Sequence, residues 1–195
     1  MEIPFFKNIL KDYPNFWKEY LAHFEHKKES NKYIVFDCES TGIDIENDKI
    51  LSISAITIEN NAIQINKFIE IFIHQNVALH NILKVDEEEK VIEVEGIIRF
   101  LNFIKNATLV GHAVGQDIEM INEALNRLDL GKLKNEYMDI AIMYQKFKEL
   151  PEEMHTSLDQ LCTIFKIRKS DRHTSSSDTY IMALIFLKLK RKLGI

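Results

Sequence analysis

Apolar residues recur along this chain at two spacings, one helical and one alternating, and the switches between them predict most of its elements. The first stretch, residues 5–28, places Phe5, Phe6, Ile9, Leu10, Phe16, Trp17, Tyr20, Leu21 and Phe24 at mixed helical intervals, and Pro14 separates residues 8–11 from residues 16–24. Two short helices packed outside the main domain are expected there, with a partner-binding arm as the sharper alternative. Polar residues 26–32 mark a boundary, so a helical N-terminal appendage is expected at 1–30 and the domain proper at 31–195. Tyr33, Ile34, Val35 and Phe36 form the β-branched and aromatic run of a buried central strand that delivers Asp37 at its end. Residues 50–58 and 63–73 contain alternating stretches, and Asn60 and Asn61 between them suit a hairpin, so three antiparallel strands are expected.

Beyond the acidic stretch 86–89, Val91, Val94, Ile97, Ile98, Leu101 and Ile104 keep helical spacing. Residues 108–111 read as another buried strand. A helix near 116–128, a short strand near 137–138, helices at 140–148 and 157–165 and a last helix near 176–192 complete the order. Thr156 and Asp159 have the spacing of a capping box. A three-strand meander succeeded by alternating helix and strand predicts an α/β sandwich with a mixed sheet.

Composition narrows the class. A chain of 195 residues with 46% hydrophobic and 28% charged side chains can bury one substantial core, which excludes disordered and low-complexity readings. The longest apolar run, residues 181–187, is far shorter than the ~20 residues that span a bilayer. The first residues lack the pattern of a secretory signal, so no membrane association and a cytoplasmic location are expected. Cys38 and Cys162 have no C-x-x-C spacing, which suggests neither a disulfide nor a zinc site. The net charge of −5 argues against a surface that coats nucleic acid throughout, yet residues 166–195 carry eight Lys and Arg against two Asp. Lys166, Arg168, Lys169 and Arg172 could steer a phosphate backbone; Lys188, Lys190, Arg191 and Lys192 also suit the C-terminal dipole of a helix.

Phosphate loops, dinucleotide fingerprints, zinc-protease motifs and nucleophile elbows are missing, and the candidate chemistry rests on carboxylates. Asp37 and Glu39 lie two apart at a strand end, so both point to one face while Cys38 points to the other. Asp117 falls in the first turn of the helix after a buried strand, within the run from Gly111 and His112 through Gly115. His173 lies in a polar segment, and Asp178 opens the final helix. Taken singly, Asp117 and Asp178 are ordinary helix-dipole residues and His173 an ordinary exposed histidine. Hard divalent cations prefer oxygen donors, and carboxylates gathered without cations would repel one another and raise their own pKa values.

In this order, Asp37-x-Glu39, Asp117, then His173 and Asp178, the motifs resemble the DEDD or DnaQ-like 3′-to-5′ exonuclease superfamily. The DEDDh branch is nearest, which includes the proofreading epsilon subunit of bacterial DNA polymerase III and the exonuclease region of PolC-type polymerases. The resemblance covers about residues 33–190 and extends to Thr41, Gly42, Asp139, Ser157, Leu158 and Leu161. It implies a ribonuclease H-like three-layer sandwich, a five-stranded mixed sheet with helices on both faces. It implies two Mg²⁺ or Mn²⁺ ions held by Asp37, Glu39, Asp117 and Asp178, with His173 as general base. Asp37 would bridge the ions, Glu39 and Asp178 would complete the catalytic one, and Asp117 would hold the other largely through water. Thr41, Gly42 and Arg172 would contact the substrate, and His112 would support the strand-to-helix turn.

The implied activity is a metal-dependent 3′-to-5′ exonuclease acting on single-stranded DNA, releasing nucleoside 5′-monophosphates in proofreading or repair, with a separate DNA polymerase as partner. RNA or short oligoribonucleotides are the alternative substrate, and a catalytically weak nucleic-acid or replicase-binding module is the alternative class. The chain departs from the family pattern at Ala113, where Asn is usual, at Gln116, where Phe is usual, and at Ser175 and Ser176, where Ala and Leu are common. Residues 160–165 faintly resemble a sliding-clamp peptide but read as a packed helix.

Overall fold

A computed structural model describes residues 12–25, 32–75, 89–168 and 175–195. Helix α1 (Asn15–Ala22) precedes the antiparallel meander β1 (Lys32–Ser40), β2 (Ile50–Glu59) and β3 (Ala62–Phe72). Next come α2 (Glu93–Ile104), β4 (Thr108–Gly111), α3 (Val114–Arg127), β5 (Tyr137–Asp139), α4 (Ile140–Lys148), α5 (Leu158–Phe165) and α6 (Ser175–Leu193). The sheet order is β3-β2-β1-β4-β5, with β1 antiparallel to β2 and parallel to β4. The hairpin between β2 and β3 turns on Asn60 and Asn61, both left-handed at φ 52° and 60°, a conformation asparagine tolerates and the twist of paired strands favours.

Side chains alternate across the sheet into two cores. Ile34, Phe36, Ile53 and Leu109 face α1, α2 and α3; Val35, Ile56, Ile58 and Val110 face α4, α5 and α6. The expected mixed sheet with helices on both faces is the observed architecture. Helix α6, with Met182, Ala183, Ile185, Phe186 and Leu189 fully buried, is the spine of the second layer. Helix α5 buries Leu161, Cys162 and Phe165, so residues 160–165 form the expected packed helix.

Two expectations are corrected. Residues 8–11 lie outside the described residues, but α1 does not pack outside the main domain. Trp17 and Tyr20 are 1% and 2% exposed within the first core, and the Tyr20 hydroxyl donates to Asn135 Oδ1 at 2.7 Å. Burying side chains of this size contributes roughly 2–3 kcal/mol each, enough to hold an eight-residue helix whose own propensity is marginal. The capping box at α5 is formed by Ser157 and Gln160, one residue later than Thr156 and Asp159, because the helix begins at Leu158 and Ser157 is its N-cap.

Candidate metal and nucleic-acid site

Strand β1 stays paired with β2 as far as Ser40, but its pairing with β4 stops at Val35. Asp37 and Glu39 therefore lie within the strand rather than at its end, on the stretch where one edge of β1 has opened. That gap is what lets α3 approach. Gly111 makes the approach possible, since a Cβ there would stand 3.1 Å from the Phe36 carbonyl oxygen and 3.0 Å from Val114.

Asp117, in the first turn of α3, accepts a hydrogen bond from the Cys38 backbone N–H, which tends to keep its carboxyl ionised. Burial and the charges of Asp37, Glu39 and Asp139 act the other way and win, holding it well above the ordinary carboxylate range. Asp37 is pushed up to about 8, chiefly by burial, then by Glu39 and by Asp178 from the first turn of α6. The partly buried Cys38 thiol is likewise driven up, first by loss of solvent and then by Asp117, Asp37 and Glu39. The structure thus brings Asp37, Glu39, Asp117 and Asp178 into one electrostatic neighbourhood. Among the described residues, no three His, Cys, Asp or Glu side chains form a ready-made metal cage. Arg172 and His173 lie outside the described residues.

The turn before α3 is held at several points. His112 Nε2 lies 2.8 Å from the Thr156 carbonyl, its backbone N–H points to Met182 Sδ at 3.1 Å, and Asp139 accepts from both Val114 N and Ala141 N. His112 supports this turn, and Asp139 joins the N-termini of α3 and α4. Ala113 sits in the left-handed region at φ 53°, which asparagine tolerates better than alanine, so the departure at this position carries a backbone cost.

After β1, the loop 41–48 is organised by Asp48. Its carboxylate accepts from the Thr41 hydroxyl at 2.5 Å and from Asp44 N at 2.8 Å, and it lies so close to Gly42 that a Cβ there would collide with it. Thr41 also takes a hydrogen bond from Lys49 N and gives its own N–H to the Lys49 carbonyl. Both donors of Thr41 are therefore spent within the loop, the Gly42 carbonyl accepts from Ser40 Oγ, and Ile43 is exposed. Asp48 escaped the sequence reading, as did the buried hydroxyls Ser52, Ser54 and Thr179 beneath the acidic cluster. Two serines at alternate positions of an otherwise aliphatic strand were the available signal.

A family model described as an exonuclease, RNase_T, matches residues 34–186. The chain is 29% identical over 174 residues to a PolC-type DNA polymerase III of Caldanaerobacter subterraneus subsp. tengcongensis, covering 83% of this chain and 12% of that protein. It is 30% identical over 168 residues to the DNA polymerase III epsilon subunit of Buchnera aphidicola subsp. Acyrthosiphon pisum, covering 79% and 70%. Among solved structures, Escherichia coli exonuclease I in complex with a dA16 oligonucleotide superposes with a TM-score of 0.71 at 14% identity, over 85% of this chain and 42% of the other. Exonuclease X in complex with 5′ overhanging duplex DNA gives 0.62 at 14% identity, over 84% and 93%. These likenesses show the fold, a ribonuclease H-like sheet sandwich.

Proposed function

The chain belongs to the RNase_T exonuclease family, and on that premise we propose that it is a metal-dependent 3′-to-5′ exonuclease trimming single-stranded DNA to nucleoside 5′-monophosphates. The observation that carries this reading is the convergence of Asp37, Glu39, Asp117 and Asp178 from one strand and two helix starts, with Asp37 pushed to about 8 and Asp117 well above its usual range. Oxygen-only donors that destabilise one another suit hard divalent cations.

Asp37, Glu39 and Asp178 would hold one Mg²⁺ or Mn²⁺, and Asp117 with Asp37 a second. When bound, such ions offset the negative charge that builds on a phosphodiester during in-line displacement. His173 would take the proton of the attacking water, phosphorus gains the new P–O bond, the bond to the 3′-oxygen breaks, and that oxygen leaves as a hydroxyl with a proton from solvent. The loop main chain at Gly42, with the Thr41 side chain locked beneath it, offers a surface for the terminal nucleotide, and Arg172 a cation for its phosphate. A separate polymerase would be the partner in proofreading.

The test uses 5′-labelled single-stranded DNA and matched RNA with Mg²⁺, Mn²⁺ or EDTA. The expected result is a metal-dependent ladder shortening from the 3′ end, faster on DNA. Asp37→Ala should lower the rate by about 10³-fold, equivalent to the ~4 kcal/mol of charge stabilisation a cation supplies. Cleavage that persists in EDTA would overturn the reading.

A further inference from the structure

We propose that the buried hydroxyl pair Ser54 and Thr179 positions the cation site, fixing the first turn of α6 against the sheet so that Asp178 faces Asp37. Ser54 is the cross-strand partner of Asp37 in the β1–β2 ladder, and Thr179 is the residue after Asp178. Both are fully buried. Their hydroxyl oxygens lie 2.5 Å apart, and Thr179 Oγ1 also approaches the Ser54 carbonyl at 3.5 Å. One bond thus links the neighbour of one carboxylate to the neighbour of another. The proposal rests on the metal-dependent function.

Packing alone gives no reason for this pair. The same face buries Ile56, Ile58, Ile181 and Met182, and an apolar pair would fill the space without desolvating two hydroxyls. A hydrogen bond adds direction, which aliphatic contact lacks. Direction matters here because slipping α6 by one residue turns it by about 100° and would carry Asp178 off the sheet. Ser52, fully buried and paired across the ladder with Glu39, continues the polar strip along β2.

The experiment titrates the full chain with Mn²⁺ and reads the free ion by electron paramagnetic resonance, well below the unfolding temperature of each variant. Thr179→Val and Ser54→Ala should each weaken Mn²⁺ binding by about tenfold or more, as loss of a group that orients a ligand does, and Thr179→Ser should stay within about twofold of wild type. The double variant Ser54→Ala/Thr179→Val should recover thermal stability relative to the single variants, because no hydroxyl is left unpaired, while its Mn²⁺ affinity stays low. If Thr179→Val does not fold, Ser54→Ala carries the same test. Folded variants that bind Mn²⁺ within about twofold of wild type would overturn the positioning role, as would affinity that simply tracks stability. A wild-type chain that binds no Mn²⁺ would overturn the metal-dependent function and the positioning role together, an outcome distinct from normal wild-type binding with indifferent variants.

Discussion

Helices α3 and α6 each bring one aspartate to the acidic cluster, but they are secured differently. The start of α3 is held by close backbone approach at Gly111, by His112 on Thr156, by Asp139 on Val114 N, and by Cys38 N–H on Asp117 itself. Near Asp178, the start of α6 is joined to the sheet by the Ser54–Thr179 hydroxyl pair, and a turn later by Met182 against His112 N–H. The α3 side is locked largely through main chain and charged acceptors, the α6 side through side-chain hydroxyls in an apolar layer. Asp117 is thus set largely through main chain, and the tie beside Asp178 runs through hydroxyls that single substitutions remove.

Asp37 faces both helices, so changing it has the largest expected effect. Its carboxyl titrates near 8 in the folded chain against an ordinary value of 3.8, so between those limits the folded state holds a proton that the unfolded state has lost. Through this group alone, stability of the metal-free protein should therefore fall as pH rises from about 4 to about 8, by up to ~1.4 kcal/mol per pH unit and a few kcal/mol in all, and Asp117, raised likewise, steepens the fall. Asp37→Asn should flatten that slope in urea unfolding curves measured across this range; an unchanged slope would mean that the cluster is better solvated than the fold indicates. Added Mn²⁺ should restore wild-type stability at pH 8 and leave Asp37→Asn nearly unmoved.

Asp139→Ala isolates the α3 side. It removes the acceptor for Ala141 N at the start of α4 and for Val114 N at the start of α3, and should cost about 1–2 kcal/mol in thermal unfolding. Because Asp139 is not among the proposed cation ligands and α3 keeps its other ties, Mn²⁺ binding should suffer less than in Thr179→Val. A loss of Mn²⁺ affinity as large as that of the hydroxyl variants would erase the distinction between the two helices. The smallest effect is expected at the left-handed turn. Ala113→Asn should stabilise the protein by up to about 1 kcal/mol, since asparagine accepts φ 53° more readily, and calorimetry would read it as a small rise in Tm.

The elements that proved legible were those with an unmixed pattern. Residues 108–111 and 140–148 fall where apolar spacing and flanking residues agree, and β4 and α4 match them end for end. The order Asp37-x-Glu39, Asp117, Asp178 was readable only through the family resemblance, because taken singly Asp117 and Asp178 are ordinary first-turn aspartates. What escaped was tertiary. The extension of β1 to Ser40 depends on β2 continuing beside it, which no local pattern in residues 37–40 announces. The packing of α1 depends on Asn135 and on main chain near Ala107, far along the sequence. Ser54 and Thr179 look like ordinary small polar residues until the helix is laid on the strand.

The Tyr20–Asn135 contact spans 115 residues of chain, and Lys134 N also donates to that tyrosine hydroxyl. Asn135 in turn donates to the carbonyls of Lys105 and Ala107, so one amide joins α1, the approach to β4 and the approach to β5. The helix at Asn15–Ala22 therefore acts as a clasp that closes the first core across the length of the chain.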